Sequence, residues 1–143
     1  MSKLPEKHQF LDLSDYGRSL GHFIATKLKN TPLTPIHVTT MFLITGFIAI
    51  GLLLKGYLIA SAFLLLLKSI LDAADGELAR LKKKPSYVGR YYDSISDLIL
   101  NFCFLLSLWY ITDISIIYMI ISFLAIQLQG TLYNYYYVIL RNS

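Results

Sequence analysis

Residues 38–54 read VTTMFLITGFIAIGLLL, a run without a single charge that closes at Lys55-Gly56. A helix needs about 20 mainly apolar residues, at 1.5 Å each, to cross the hydrocarbon layer of a bilayer. Three more apolar segments follow. Tyr57–Leu71 is interrupted only by Lys68, Leu98–Thr112 contains Asn101 and Ser107, and Ile114–Leu140 has Gln127, Gln129, Gly130 and Asn134 in its second half. Lone strands in lipid would leave backbone groups unpaired, so the segments are expected to be helices. Two of them are short for a span. They reach the required length only if the polar stretches Asp72–Lys82 and Gly89–Asp97 continue the helices.

The composition fits that reading. Of 143 residues, 55% are hydrophobic and 15% charged, against about 25% charged in soluble domains. Disorder is excluded by the apolar content, and a disulfide framework by the single cysteine, Cys103. No apolar run follows closely on a charged start, so no cleavable signal peptide is expected. Residues 1–35 form a polar segment, and residues 36–143 form the membrane domain. Within the first segment, Leu20, Phe23, Ile24 and Leu28 recur at helical spacing beside Arg18, Lys27 and Lys29. This predicts a basic amphipathic helix over Tyr16–Leu28, lying at a membrane surface or docked on protein.

The net charge of +4 is set by topology rather than by a nucleic-acid surface, for which there is no motif. Five Lys/Arg precede the first apolar segment, one (Lys55) follows it, and five (Arg80, Lys82, Lys83, Lys84 and Arg90) surround the next junction. None lies in the third loop, and Arg141 follows the last segment. Positive residues concentrate on the cytoplasmic side. The expected architecture is therefore all-α, with an interfacial helix and about four transmembrane helices. The N-terminus and the second loop are expected in the cytoplasm.

That second loop is flanked by carboxylates. The stretch 72–97 reads DAADGELARLKKKPSYVGRYYDSISD. Asp72, Asp75, Gly76 and Ala79 share one helix face, and Gly89, Asp93 and Asp97 share another, with Pro85-Ser86 breaking the chain between them. Opposed, the two faces would gather four Asp side chains. Carboxylates at a membrane boundary are costly unless paired or bound to a cation. An all-oxygen set without His or Cys suits Mg2+ or Mn2+. Gly76, Ala79 and Gly89 leave a slot for close backbone approach to a ligand, and Arg80 can grip a phosphate through its planar fork. Together these are parts of a nucleoside-diphosphate site.

The pattern D-x-x-D-G-x-x-A-R-x8-G-x-x-x-D-x-x-x-D resembles the signature of the CDP-alcohol phosphotransferases, also called CDP-alcohol phosphatidyltransferases. All eight fixed residues (Asp72, Asp75, Gly76, Ala79, Arg80, Gly89, Asp93 and Asp97) match at every spacing. The resemblance implies metal ligation by Asp72, Asp75, Asp93 and Asp97, with Asp97 also the general base. It implies nucleotide contacts at Gly76, Ala79, Arg80 and Gly89. The implied reaction is attack by an alcohol hydroxyl on a CDP-alcohol, such as CDP-diacylglycerol, with release of CMP. A polar alcohol is the expected acceptor and membrane lipids are expected partners, and a homodimer stays open as an assembly. The family bundle usually has six spans, so the chain is expected to be shortened at its C-terminus. The rival readings are an inactive remnant or interaction subunit and a carboxylate-based cation transporter.

Other residues have plainer expected roles. Arg90 is a candidate contact for the acceptor or a phosphate. Asp72 could pair with Lys68 one turn earlier. Glu77 reads as a solvated helix end, and Lys82–Lys84 as topology and headgroup contacts. His37 and Thr39 could line the mouth of the site, although packing is the simpler role. Trp109, Tyr110 and the tyrosines at 133–137 read as interfacial belts. Gly46 and Gly51 read as close helix contacts, and Cys103 as packing.

Overall fold

Residues 16–83 and 86–142 are described by a computed structural model, in which they form five helices and no strand. They are α1 (Tyr16–Leu28), α2 (Pro35–Leu54), α3 (Leu58–Leu81), α4 (Tyr87–Thr112) and α5 (Ile116–Asn142). Lys84 and Pro85 lie outside the described residues, as does the whole of the polar segment before Tyr16, with two of the five Lys/Arg counted ahead of the first apolar segment.

Local chemistry sets the helix ends. Thr34 is extended and caps α2, with Pro35 in the first turn and His37 completing the cap. His37 Nδ1 lies 3.2 Å from the Thr34 backbone N–H and 2.6 Å from its hydroxyl. The pre-set φ of proline suits that position. At the other end Gly56 adopts φ +83°. Its N–H donates to Leu53 O at 2.9 Å, and the Tyr57 N–H donates to Leu52 O at 2.9 Å. These two bonds form a Schellman closure, whose left-handed position favours glycine. Ser86 caps α4 by accepting from the Gly89 N–H at 3.3 Å.

The polar ends do continue as helix. α3 is 24 residues and α4 is 26, about 36 and 39 Å at 1.5 Å per residue. By length and composition α2, α4 and the Ile116–Tyr136 part of α5 are able to cross a membrane. Among the described residues three helices thus meet the criterion where about four are expected. The fourth, α3, has the length but holds Lys68, Asp72, Asp75, Glu77 and Arg80. It is the helix that gives up apolar continuity to present the site.

Packing radiates from α2 and α3. α2 lies against both α3 and α4, α1 against α3, and α5 against α4 alone; the backbones of α3 and α4 do not approach each other closely. Val38, Phe42 and Ile50 of α2 meet Leu71, Ala74 and Leu78 of α3 and Leu100 of α4 in the core, with Cys103 packed at its edge. Gly46 sits where α2 meets α4, and a methyl there would lie 2.6 Å from Leu100 Cδ1. Gly51 has open space around it and makes no such contact. The side chains of α5 are mostly exposed, including Tyr133, Tyr135 and Tyr136.

α1 is docked on protein. Gly17, Gly21 and Ala25 are buried at four-residue spacing, and a methyl on Gly21 would come within 2.9 Å of the Ala74 backbone nitrogen. The predicted apolar face therefore divides. Ile24 and Leu28 pack on the core, while Leu20 and Phe23 remain 52% and 59% exposed.

Candidate active site

All eight motif residues line one cavity of about 1060 Å3. α3 supplies Asp72, Asp75, Gly76, Ala79 and Arg80, and α4 supplies Gly89, Asp93 and Asp97. The remaining wall comes from α1, the α1–α2 connection, the start of α2 and, on α5, Asn134. Arg90 lines it too, with its guanidinium stacked 5.0 Å from the centre of the Tyr87 ring. Helix spacing explains the convergence, since i, i+3, i+4 and i+7 project from one side of each helix. α3 and α4 run antiparallel on either side of the gap.

The expectation that the opposed faces gather four aspartates into a cluster is met only in part. The four share the cavity, and Asp93 lies within electrostatic reach of Asp72, Asp75 and Asp97. Among the described residues, however, no three His, Cys, Asp or Glu side chains stand close enough to hold an ion between them. Both helices lean on α2, which keeps the carboxylates on facing walls. The donor set nonetheless fits a hard cation. It is all oxygen, and Asp93 Oδ1 is buried with no hydrogen-bond partner, a costly state for a carboxylate without a counter-ion.

Several side chains hold the motif in place. Thr39, 1% exposed, donates its hydroxyl to Asp75 Oδ2, and its oxygen also lies 3.2 Å from Pro35 O. It does more than pack, because it is a buried donor aimed at a motif carboxylate. Lys68 reaches across to Asp97, with Nζ 2.5 Å from Oδ1 and 5.1 Å from the centre of the Phe42 ring. Tyr92 and Thr40 join α4 to α2 through their hydroxyls, 3.2 Å apart.

Glu77 and Lys82 also differ from their expected roles. Glu77 is not a solvated helix end, since its side chain is only 12% exposed. Its Oε1 lies 3.1 Å from His22 Nδ1 on α1, and its Oε2 accepts from Arg80 Nε at 3.0 Å and Nη2 at 2.5 Å. Lys82 is not a free headgroup contact. Its ammonium donates to Thr31 O at 2.7 Å and Leu33 O at 2.6 Å, tying the end of α3 to the connection before α2.

The family model described as CDP-alcohol phosphatidyltransferase matches residues 33–141, from the α1–α2 connection almost to the end of α5. The chain belongs to this family of transferases, which move a phosphoalcohol group from a CDP-alcohol donor to an alcohol acceptor. No curated protein and no solved structure matches the chain.

Proposed function

We propose that the chain transfers a phosphatidyl group from CDP-diacylglycerol to a polar alcohol, releasing CMP, as a step of phospholipid synthesis. The observation that carries this reading is the convergence of all eight motif residues on one cavity at one end of the apolar helices. A donor with a polar nucleotide and two acyl chains suits a site that opens between helices at that boundary. The cytoplasm is the side assigned to this end, because the Lys/Arg distribution favours it.

Asp72, Asp75, Asp93 and Asp97 are the residues that would hold Mg2+ or Mn2+. When bound, the ion offsets the negative charge of the pyrophosphate. Gly76, Ala79 and Gly89 leave room for the cytidine diphosphate, and Arg80 offers its guanidinium to the phosphates. Asp97 accepts the proton of the attacking hydroxyl as the oxygen bonds to the β-phosphorus and the bond to CMP breaks. Lys68 orients Asp97 for that step. Arg90, stacked on Tyr87 at the cavity wall, is placed to meet an anionic acceptor or a phosphate.

The test is CMP release by the full chain in lipid vesicles, with CDP-diacylglycerol and a panel of polar alcohols, with and without Mg2+ or Mn2+. Metal-dependent release that requires an alcohol is the expected result. Asp97→Asn should lower turnover about 10^2–10^4-fold, the usual contribution of a general base, while CDP binding survives. Undiminished CMP release in Asp97→Asn would remove the base assignment. No release with any alcohol would remove the function.

A further inference from the structure

Glu77 occupies an unfixed position of the motif, yet its carboxylate is held from two sides, next in sequence to Gly76 and one turn before Arg80, both of which line the cavity. One carboxylate oxygen receives His22 of α1, and the other takes both Nε and Nη2 of Arg80. Arg80 is half exposed, at 52%. A long side chain in that setting samples many rotamers unless something fixes it. Glu77 fixes it from one edge of the guanidinium. The remaining nitrogen, Nη1, then lies over Gly76, 3.7 Å from where a methyl on that glycine would be. The grip directs the open edge of Arg80 across the small-residue slot of the cavity.

The second half of the arrangement comes from α1. His22 follows Gly21, whose lack of a side chain lets α1 seat directly on the backbone of Ala73 and Ala74. That seating fixes the height of His22 relative to Glu77, one turn further along α3. A carboxylate held by two partners has fewer accessible orientations than one held by a single partner, so docking of α1 stiffens the hold on Arg80.

We propose that Glu77 is a positioning residue for Arg80, and that α1, through His22, is a working part of the nucleotide site as well as a surface helix. This rests on the assignment of Arg80 to the phosphates of a cytidine nucleotide. Glu77 touches neither substrate nor metal; it acts by presenting Arg80, and His22 acts by steadying Glu77.

The test is calorimetric titration of CDP, with Mg2+ present, into the full chain in detergent micelles. Wild type, Arg80→Ala, Glu77→Gln, Glu77→Asp, His22→Ala and the double variant Glu77→Gln/Arg80→Ala are compared. Glu77→Gln should weaken CDP binding about tenfold, the scale of 1.4 kcal/mol, and Glu77→Asp should recover part of that. His22→Ala should weaken it less and in the same direction. In the Arg80→Ala background, Glu77→Gln should have no further effect, because contacts that act through one residue are not additive. A purely structural role would instead lower the melting temperature and leave the affinity of the folded fraction unchanged. An unchanged or tighter Kd in Glu77→Gln, or full additivity with Arg80→Ala, overturns the proposal. Wild type and Arg80→Ala binding CDP equally would overturn the assignment of Arg80 beneath it, a distinct outcome. If Glu77→Gln fails to fold, Glu77→Asp and His22→Ala decide the matter by the same criteria.

Discussion

Thr39→Val is the substitution whose consequence the geometry determines most sharply. Valine has nearly the shape of threonine, so no cavity opens and the packing of α2 on α3 is kept. What is lost is one donor, the hydroxyl that Asp75 Oδ2 accepts. Thr39 is 1% exposed and Asp75 7%, so water cannot readily replace it. A hydrogen bond to a charged group contributes about 1.5–3 kcal/mol, and a buried acceptor left unmatched costs a similar amount. The expected loss is about 2 kcal/mol, or roughly 30-fold in the folded-to-unfolded ratio at 1.4 kcal/mol per factor of ten. Denaturant unfolding in mixed micelles with EDTA present measures this without any ion at the site. Thr39→Ser keeps the hydroxyl and should lose clearly less than Thr39→Val. Mn2+ titration should show weaker binding by Thr39→Val, because Asp75 is no longer held toward the cavity. Equal stability of Thr39→Val and wild type would refute the argument. So would a Thr39→Ser variant as damaged as Thr39→Val, because the methyl would then be what matters.

Gly21→Leu should undock α1, since even a methyl there meets backbone at 2.9 Å. Overpacking of this kind costs about 1–3 kcal/mol, and faster proteolysis within residues 16–28 would register it; protection equal to wild type would contradict the packing. Lys68→Met removes the ammonium from Asp97. An ion at the aspartates would no longer compete with that ammonium, so Mn2+ should bind more tightly by electron paramagnetic resonance titration, and weaker binding would speak against competition.

Much of this was legible in the sequence because helices write their faces locally. The limits of α1, the Lys55-Gly56 turn and the unbroken course of α3 and α4 follow from spacing and punctuation. So does the presence of the eight motif residues on one cavity, because each helix presents its own four- or seven-residue repeat. What escaped depends on partners far along the chain. Thr39 meets Asp75 across 36 residues, His22 meets Glu77 across 55, Lys68 meets Asp97 across 29, and Lys82 meets Thr31 across 51. No local period encodes such pairings. Glu77 looked like a solvated end because its neighbours in sequence are polar, whereas its neighbours in space are a docked helix and an arginine. The seating of α1 is within reach of the sequence, since Gly17, Gly21 and Ala25 repeat every four residues, but the larger side chains beside them suit a membrane surface as well. The opposed carboxylate faces were right about direction and wrong about distance, because nothing in either stretch says that both rest on α2.

That shared rest has a consequence for how the site can be tuned. α2 lends no carboxylate, but it is the spacer that sets how far the two acidic walls stand apart, much as a shim sets the gap between two plates. At Gly46 it comes close to α4, and Leu100 leaves no space for even a methyl without moving. A larger residue there has to displace the Leu100 side chain on α4, the helix that also carries Asp93 and Asp97. The spacing of the acidic walls thus depends on a helix that supplies none of the site's charges and lies outside the motif.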